Sequence, residues 1–328
     1  MGFDGRHRGR VTLLVASTGG HLEELIRLRD RLEPEVGPVE WVTFDDPQSR
    51  SLLTKERVHF VGYIPPRGYA AVAKSFRAAQ QLFRKGDFAQ VVSTGSGIAM
   101  PFLVLGRAMG LPCHYIESAA RASGPSRTGA FAARVPGVHL YSQYESWASG
   151  RWVYRGSLFD GFEAAPSPSV PIAARKVVVT LGTMRTYGFR TAVDRLLDVL
   201  PPILAPDADV LWQVGSTDVT GLNIESQERI TGSEMRLAIE CADLVVAHAG
   251  IGSALTALDA GKCPVLLPRR EHRHEHVDDH QLMIAQELGA GGLAVTRDSL
   301  ELTTQDLQRA MSVSVTRREV VRPFALGG

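Results

Sequence analysis

Four glycine-rich turns in this 328-residue sequence combine the residue types that suit phosphate binding. Each follows a short run of aliphatic or β-branched residues, and the four turns are Ser17–His21, Ser93–Gly97, Leu181–Thr183 and His248–Ser253. Glycine lets a ligand approach the backbone, and the N terminus of a following helix favours negative charge. None of the turns matches a Walker loop or a complete G-x-G-x-x-G. One such turn is commonly an ordinary α/β connection, but four of them predict ligand-binding sheet edges.

The turn His248–Ser253 has the pattern best suited to a pyrophosphate. Its two glycines, Gly250 and Gly252, would let the phosphates lie against backbone N–H groups. The hydroxyl of Ser253 could add a hydrogen bond as the helix cap. The sequence therefore predicts a phosphate site that needs no metal ion.

His21 has a position suited to acid–base chemistry, because it opens the helix that follows Gly19 and Gly20. The positive end of a helix dipole disfavours imidazolium, which keeps such a histidine neutral near pH 7. A neutral imidazole can accept a proton from a hydroxyl group. A lone histidine in a turn is more commonly structural, so both interpretations stay open.

The segment Glu271–Gln281 contains four histidines and four acidic residues among eleven. Histidine and carboxylate can bind a metal, but the spacing matches neither H-E-x-x-H nor a zinc finger. The segment follows an apolar strand and precedes a helix, where such side chains suit the hydroxyls of a sugar. A solvated loop is the alternative interpretation.

Short apolar runs alternate with helical patterns throughout the chain, which predicts βαβ units and parallel sheets. The strands are expected at residues 11–15, 40–44, 89–93, 113–117, 176–181, 210–214, 244–247 and 265–267. The helices are expected at residues 21–33, 191–200, 233–241, 253–260 and 279–288. The proline-rich segment 163–175 is predicted to be a linker without regular structure. We therefore expect two doubly wound α/β domains, residues 1–165 and 166–328, with a C-terminal helix returning to the first.

Composition excludes several classes of protein. Hydrophobic residues make up 44% and charged residues 22%, which is typical of a globular chain and not of a disordered one. The three cysteines are too few for a disulfide scaffold, and no signal peptide or spanning segment is evident, so a cytoplasmic location is expected. Lys and Arg exceed Asp and Glu by five in residues 1–165 and fall short by four in 166–328. No basic stripe interleaved with aromatics supports nucleic-acid binding.

Several motifs, taken together, resemble a known glycosyltransferase group. Val177–Thr183, Ala242–Arg269 and Glu275–Gln281 resemble the catalytic subunit of the eukaryotic two-subunit N-acetylglucosaminyltransferase of dolichol-linked oligosaccharide synthesis. In the first half, the segments STGGHLEEL, VVSTGSGIAMP and YIESAAR resemble its membrane-recruiting partner subunit. Bacterial exopolysaccharide glycosyltransferases often carry these halves as separate chains. Here they are fused in the order of the more distant MurG-like enzymes of family 28.

The resemblance implies a GT-B architecture, in which two Rossmann-like domains face a cleft. The nucleotide-sugar donor would bind the second domain and the acceptor the first. On this basis His21 is the expected base and Glu117 the acid of the acceptor-side motif. Residues 230–236 would hold the uracil ring. The implied donor residues are Gly182, Thr183, His248, Gly250, Gly252, Ser253, Asp279, His280 and Gln281, and the implied acceptor residues are Gly19, Gly20, Thr94, Gly95 and Ser96.

Two departures from the related sequences matter. Thr256 stands where relatives carry a glutamate that can bind the ribose, which leaves donor identity open. The N-terminal transmembrane helix of the partner subunit is not evident here. Peripheral membrane contact could instead involve Val72–Phe88, which is both amphipathic and basic. An ordinary amphipathic helix packed on its own domain is the alternative.

The resemblance implies an inverting transfer of GlcNAc, glucose or a related hexose from a UDP-sugar to a hydroxyl of a lipid-linked saccharide. No cofactor or metal is expected. The enzyme would be cytoplasmic and would meet its lipid-linked acceptor in peripheral contact with the cytoplasmic face of the membrane. Alternatives are a UDP-sugar epimerase or hydrolase, a non-catalytic partner of another transferase, and an NAD-dependent oxidoreductase. The last lacks a full dinucleotide fingerprint.

Overall fold

The computed structural model describes residues 11–34, 36–64, 69–183, 186–277 and 279–327. The chain forms two compact units, and the first unit consists of two separate segments of the chain. Unit 1 comprises Met1–Asp160 and Val321–Gly328, and unit 2 comprises Gly161–Val320. The division thus falls a few residues before the expected boundary at 165, and the C-terminal segment belongs to unit 1.

Unit 1 is an α/β unit whose strands alternate with helices along the chain. Its strands are β1 (Val11–Ala16), β2 (Leu32–Glu33), β3 (Val39–Phe44), β4 (Val58–Val61), β5 (Phe88–Gly95), β6 (Cys113–Ile116), β7 (Val138–Ser142) and β8 (Trp152–Tyr154). Its helices are α1 (Gly20–Arg29), α2 (Pro47–Leu52), α3 (Tyr69–Lys85), α4 (Ala99–Ala108) and α5 (Arg127–Ala132).

Unit 2 repeats this alternation. Its strands are β9 (Phe162–Pro166), β10 (Ala174–Thr180), β11 (Leu204–Gln213), β12 (Ser226–Gln227), β13 (Leu244–His248), β14 (Val265–Leu267), β15 (Val295–Thr296) and β16 (Val313–Arg317). Its helices are α6 (Arg190–Val199), α7 (Gly232–Cys241), α8 (Ile251–Asp259), α9 (His280–Ala290) and α10 (Thr304–Met311). The last strand, β17 (Phe324–Ala325), lies in unit 1.

The main sheet of each unit is parallel and doubly wound, so the predicted fold class is confirmed. Among the described residues the order in unit 1 is β4-β3-β1-β5-β6-β7-β8, and the order in unit 2 is β12-β11-β10-β13-β14-β15. The chain moves outward from β1 in one direction and from β5 in the other, so the order reverses between these two strands. The same reversal lies between β10 and β13. Ligands of open α/β sheets bind at such points.

The apolar runs of the sequence form the two cores. In unit 1, Leu13 of β1 and Val91 of β5 pack with Phe102 of α4 and Tyr115 of β6. In unit 2, Val178 and Val245 pack against Ile239 of α7. Each fully buried aliphatic side chain contributes roughly 1.5–3 kcal/mol. These strands are buried on both faces, which explains why the runs are continuous rather than alternating.

The prediction of an irregular linker at 163–175 is wrong at both ends, since Ala174 and Arg175 already belong to β10. Residues Phe162–Pro166 form β9, which pairs antiparallel with β16 in a two-stranded sheet. Proline lacks an N–H and is tolerated at the end of a strand that has a neighbour on one side only. The sequence could not show this pairing, because the partner strand lies about 150 residues further along.

The helix expected at residues 21–33 ends at Arg29, and Leu32 and Glu33 form β2 instead. This short strand pairs in parallel with β17, where Leu32 lies opposite Phe324. The C-terminal segment therefore joins unit 1 through a strand rather than through the expected helix. Local helix periodicity cannot reveal a partner so far along the chain.

Helix α3 packs on its own unit. Its residues Ala79 and Phe83 are buried in the core, and Val72 and Leu82 pack against that core. Phe88 begins β5 and is also buried. The basic residues are exposed, namely Lys74, Arg77, Arg84 and Lys85. Within the described part of the chain, no helix is long and apolar enough to cross a bilayer.

Candidate active site

The turn after β1 and the turn after β5 meet at the order reversal of unit 1, and two hydrogen bonds lock them together. Nδ1 of His21 lies 2.9 Å from the carbonyl oxygen of Thr94. The Thr94 hydroxyl donates to the carbonyl oxygen of His21 at 2.7 Å. A carbonyl oxygen can only accept, so Nδ1 carries the proton and Nε2 keeps its lone pair. The imidazole is therefore held in the tautomer that a general base requires.

Burial lowers the pKa of His21, and the positive charge of Arg121 lowers it further. The hydrogen bond to the Thr94 carbonyl raises the pKa, but its effect is smaller than that of burial. A lowered pKa favours the neutral form of the imidazole. The sequence analysis expected the same form from the helix N terminus, whereas the largest cause in the structure is burial.

The backbone after β5 adopts left-handed conformations at two successive residues, Gly95 (φ 115°) and Ser96 (φ 68°). A Cβ atom at Gly95 would lie 2.9 Å from the Tyr115 hydroxyl and 3.4 Å from Cε1 of His21. Glycine is therefore favoured here by the positive φ and by the close approach of the Tyr115 hydroxyl, whereas the imidazole would be in ordinary van der Waals contact. Gly19 precedes α1 at φ 87°, and its N–H donates to the side chain of Gln48 at 2.7 Å.

No side chain caps the N terminus of α1, where Gly20 is the first helical residue. The N–H groups of the first turn of a helix have no partner within that helix. They therefore remain available at the predicted acceptor-side edge.

Glu117 lies at the end of β6 and is completely buried. Its carboxylate accepts hydrogen bonds from the N–H of Ser118 at 3.0 Å and from the N–H and hydroxyl of Ser126 at 2.8 and 3.0 Å. Burial raises its pKa, and these hydrogen bonds act against that rise. The described contacts hold the loop 118–126 in place, and the catalytic role of Glu117 stays a prediction.

At the corresponding edge of unit 2, His248 ends β13 and lies beside two predicted glycines. A Cβ atom at Gly250 would lie 2.4 Å from Nε2 of His248, and one at Gly182 would lie 2.9 Å from the same ring. Both glycines are therefore needed to accommodate the imidazole. Burial lowers the pKa of His248 to about 4, and the nearby Arg269 adds to this effect.

Helix α8 begins at Ile251 with Gly250 as its N-cap residue, and no side chain caps it. The expectation that Ser253 is the cap is wrong, because Ser253 already lies in the first helical turn beside Gly252. Because Gly250 has no side chain, the N-cap residue itself does not accept hydrogen bonds from the N–H groups of this turn. Thr183 follows Gly182 at the end of β10, the strand that neighbours β13.

The predicted sugar-binding residues also hold their own segment together. Oδ1 of Asp279 accepts from the N–H of Glu271 at 2.9 Å, and Oε1 of Gln281 accepts from the N–H of Arg269 at 3.1 Å. The His280 ring packs edge-on against His276 at 4.7 Å. No three His, Cys, Asp or Glu side chains converge as metal ligands in the described ranges, and Asp278 lies outside them.

Residues near the proposed nucleotide site have local roles as well. Thr231 caps α7 in a reciprocal arrangement with Glu234, so residues 232–236 of the predicted uracil loop 230–236 belong to the start of this helix and are not a loop. The Thr256 hydroxyl donates to the carbonyl oxygen of Gly252 at 2.8 Å. Because residue 256 is a threonine, this position offers no carboxylate that could bind a ribose.

Sequence reasoning missed Arg269, which is buried behind the turns of unit 2. Its guanidinium donates to the carbonyl oxygens of Leu181 at 2.7 Å, Tyr187 at 2.8 Å and Glu275 at 3.0 Å. It also lies 5.1 Å from the centre of the Phe189 ring. Burial lowers its pKa to about 10. A basic residue after an apolar strand was the only signal, and it does not distinguish a buried arginine from an exposed one.

Comparisons with known proteins identify the family and the fold that the chain resembles. Residues 176–319 match the glycosyltransferase family 28 C-terminal domain. The chain therefore carries a family 28 glycosyltransferase domain in its second half and is similar to MurG-like enzymes. Similar curated proteins are the UDP-N-acetylglucosamine--N-acetylmuramyl-(pentapeptide) pyrophosphoryl-undecaprenol N-acetylglucosamine transferases of Nostoc punctiforme and of a Synechococcus species. The first is 25% identical over 91% of this chain and 87% of its own length, and the second is 27% identical over 87% and 82%.

Solved structures show the same fold. The Acinetobacter baumannii MurG structure matches with a TM-score of 0.59 and 17% identity over 93% of this chain and 94% of its own. The UDP-GlcNAc 2-epimerase of Methanocaldococcus jannaschii matches with a TM-score of 0.57 and 10% identity over 97% and 96%. The predicted GT-B fold is therefore confirmed.

Proposed function

We propose that this glycosyltransferase moves GlcNAc, glucose or a related hexose from a UDP-sugar to a hydroxyl of a lipid-linked saccharide, with inversion. The names of its relatives support a UDP-GlcNAc donor and a pyrophosphoryl-undecaprenol acceptor. The single observation that carries the chemistry is the bond from Nδ1 of His21 to the Thr94 carbonyl, which leaves Nε2 as a proton acceptor.

In the proposed reaction, Nε2 of His21 takes the proton of the acceptor hydroxyl. The hydroxyl oxygen forms a bond to the anomeric carbon, and the bond from that carbon to the UDP oxygen breaks with its electron pair leaving on UDP. First-turn N–H groups of α8 and the Ser253 hydroxyl stabilise the departing diphosphate. Losing one such donor costs about 10²–10³ in rate in other enzymes.

The proposed chemistry needs no cofactor. Helix N termini supply partial positive charge to the leaving group, worth roughly 0.3–1 kcal/mol each at exposed sites and more where water is excluded. We further propose that the enzyme acts at the cytoplasmic face of the membrane. Contact with anionic lipid would then rely on the exposed Lys74, Arg77, Arg84 and Lys85 of α3, since the apolar side of that helix packs on unit 1.

The test replaces His21 with alanine and measures UDP release. UDP-GlcNAc and UDP-glucose serve as donors, with a short-chain analogue of N-acetylmuramyl-pentapeptide pyrophosphoryl-undecaprenol as acceptor. We expect His21→Ala to lower turnover about 10²–10⁴-fold, because the attacking hydroxyl loses its base. Donor affinity should stay within a few-fold, since the predicted donor residues lie in unit 2.

His59→Gln is the matched control, because His59 lies on β4 and pairs with Glu40 at 2.7 Å. It should retain wild-type turnover. Equal turnover in His21→Ala and wild type would remove His21 from the mechanism. Conversion of the UDP-sugar without acceptor would instead indicate an epimerase or hydrolase. Stabilisation by GDP or dTDP but not by UDP in a thermal-shift screen would refute the donor assignment.

A further inference from the structure

The turn that carries His21 is held by Thr94 from the side of β5 and by Gln48 from the side of β3. Strand β1 lies between β3 and β5 in the sheet, so the segments that follow these two strands flank the turn after β1. Oε1 of Gln48 accepts a hydrogen bond from the N–H of Gly19 at 2.7 Å, and Nε2 of Gln48 donates to Oε1 of Glu23 at 2.9 Å. One amide group therefore contacts the residues at both ends of the first turn of α1.

The first turn of α1 closes this arrangement into a ring. The N–H of Glu23 donates to the carbonyl oxygen of Gly19 at 3.3 Å, as expected where the N-cap carbonyl accepts the first hydrogen bond of a helix. Gly19, Gln48 and Glu23 are thus joined by three successive hydrogen bonds. His21 lies midway between Gly19 and Glu23, so the ring fixes the backbone from which its imidazole extends.

The conformation of Gly19 makes the bond to Gln48 important. Gly19 has a φ of 87°, and no side-chain hydrogen bond from the N-cap residue closes the start of α1. Glycine has little conformational preference of its own between positive and negative φ. The orientation of the Gly19 peptide therefore depends on its hydrogen bonds, and its N–H is bonded to Gln48.

Gln48 is itself fixed at the end of β3. It lies in the first turn of α2, and its N–H donates to the Asp46 carboxylate at 2.8 Å. Asp46 and Ser49 cap this helix reciprocally. The Ser49 hydroxyl also donates to the carbonyl oxygen of Phe44, the last residue of β3, at 2.7 Å. The amide of Gln48 therefore extends from a helix start that is anchored to the sheet.

We propose that Gln48 is a positioning residue for His21. By holding Gly19 and Glu23 it fixes the backbone on both sides of the histidine, while Thr94 fixes the ring. This inference rests on the proposed function, because the position of His21 affects turnover only if His21 is the base. A displacement of about 1 Å at a reacting group can lower a rate about 10²-fold, so two hydrogen bonds outside the reacting groups can affect turnover strongly.

The first test is a double-mutant cycle between Gln48 and His21, measured as kcat for UDP release. Gln48→Leu removes both hydrogen bonds of the amide and keeps a similar side-chain size. With His21 present, we expect it to lower kcat about 10–10²-fold. Donor KM should stay within a few-fold, since the predicted donor residues lie in unit 2. In the His21→Ala background Gln48→Leu should have little further effect, because the base that it positions is already absent.

Equal losses from Gln48→Leu in both backgrounds would contradict the inference, because they would show that Gln48 acts independently of His21. Calorimetric titration with UDP gives the fraction of folded, nucleotide-binding enzyme in each variant, and kcat is calculated per binding site. A loss of folded enzyme is thereby separated from a loss of turnover.

The second test exchanges the two partners. Gln48→Glu keeps an acceptor for the N–H of Gly19 but places a second carboxylate against Glu23, so kcat should fall. The double variant Gln48→Glu/Glu23→Gln restores one donor and one acceptor in exchanged positions. It should recover most of the kcat that Gln48→Glu loses, and Glu23→Gln alone completes the cycle. A double variant no more active than Gln48→Glu would refute the proposed contact.

The third test needs neither donor nor acceptor. The His21 imidazole signals in long-range proton–nitrogen NMR spectra are assigned by their loss in His21→Ala. They should move in Gln48→Leu and return towards their wild-type positions in the exchanged pair. Gln308→Leu is the matched control and should leave kcat and these signals unchanged, because Gln308 is an exposed glutamine on α10. Identical His21 signals in Gln48→Leu and wild type would overturn the inference.

Failure of the proposed function gives a different result, namely wild-type turnover in His21→Ala. The NMR signals still report in that case whether Gln48 holds the imidazole in place.

Discussion

Burial shifts the pKa values of the half-buried His248 and the fully buried Glu24 in opposite senses. Burial disfavours the charged form of each, so it lowers the pKa of His248 to about 4 and raises that of Glu24 to about 7. The sequence marked His248 as a site residue through its glycine neighbours. It gave no signal for Glu24, because an acidic residue early in a helix is commonly a solvated one.

The shift at His248 predicts a loss of stability in acid. The folded-state pKa lies below the ordinary value of 6.5, so the unfolded chain binds the extra proton between about pH 6.5 and 4. The contribution is complete above pH 6.5 and is lost as pH falls through this window. The unfolding free energy of wild type should drop by about 3 kcal/mol relative to His248→Gln across it.

Urea unfolding between pH 4 and 8 measures this difference. His272→Gln serves as the control, because His272 is an exposed histidine of the same unit. A constant difference between wild type and His248→Gln would show that His248 titrates normally in the folded protein.

At the scale of elements, the sequence predicted the central strands of both sheets well. Their apolar runs are continuous because both faces are buried, and this signal is local. The short strands β2, β9, β16 and β17 were missed, since each depends on a partner far along the chain. The predicted turns lie at the order reversals of their sheets, which the sequence could not place without the strand order.

Arg269 connects several elements of unit 2, which predicts a large effect of its removal. Arg269→Met would leave the carbonyl oxygens of Leu181, Tyr187 and Glu275 without this donor. Two of these bonds are buried, those to Leu181 and Glu275, and each unsatisfied buried group costs about 1–3 kcal/mol. The free energy of unfolding should therefore fall by at least about 2 kcal/mol. UDP affinity should fall as well, because the turn at Gly182 loses its support.

Urea unfolding and calorimetric titration with UDP measure these two effects. Arg309→Met is the control, since Arg309 is an exposed arginine on α10 of the same unit. A variant at 269 that is as stable as the control would show that the hydrogen bonds contribute little.

At the scale of the whole molecule, the chain crosses from unit 1 to unit 2 and returns with its last strand. Phe324 of β17 is completely buried, packs against Tyr141 with ring centres 5.5 Å apart and pairs with Leu32. The N–H of Gly327 donates to the Tyr141 hydroxyl at 2.8 Å. The final residues are therefore part of the structure of unit 1.

Phe324→Ala should lower the stability of unit 1 by about 3–5 kcal/mol, as expected for removing a buried aromatic ring. Hydrogen exchange measured by mass spectrometry should show the loss of protection in β2 and β7 and unchanged protection in unit 2. Phe60→Ala is the control, because Phe60 is partly exposed on β4. Unchanged exchange in unit 1 would mean that the returning strand is dispensable.

The sequence by itself determined the two α/β halves, the turns at the ends of their strands, and His21 as a candidate base. These features depend on residue order over a few positions, which periodicity and glycine spacing report directly. Only the tertiary structure decided the tautomer of His21, the burial of Glu24 and Arg269, and the return of Phe324 to unit 1. Each of these depends on a partner tens to hundreds of residues away, and such partners meet only when the strands pack in their final order.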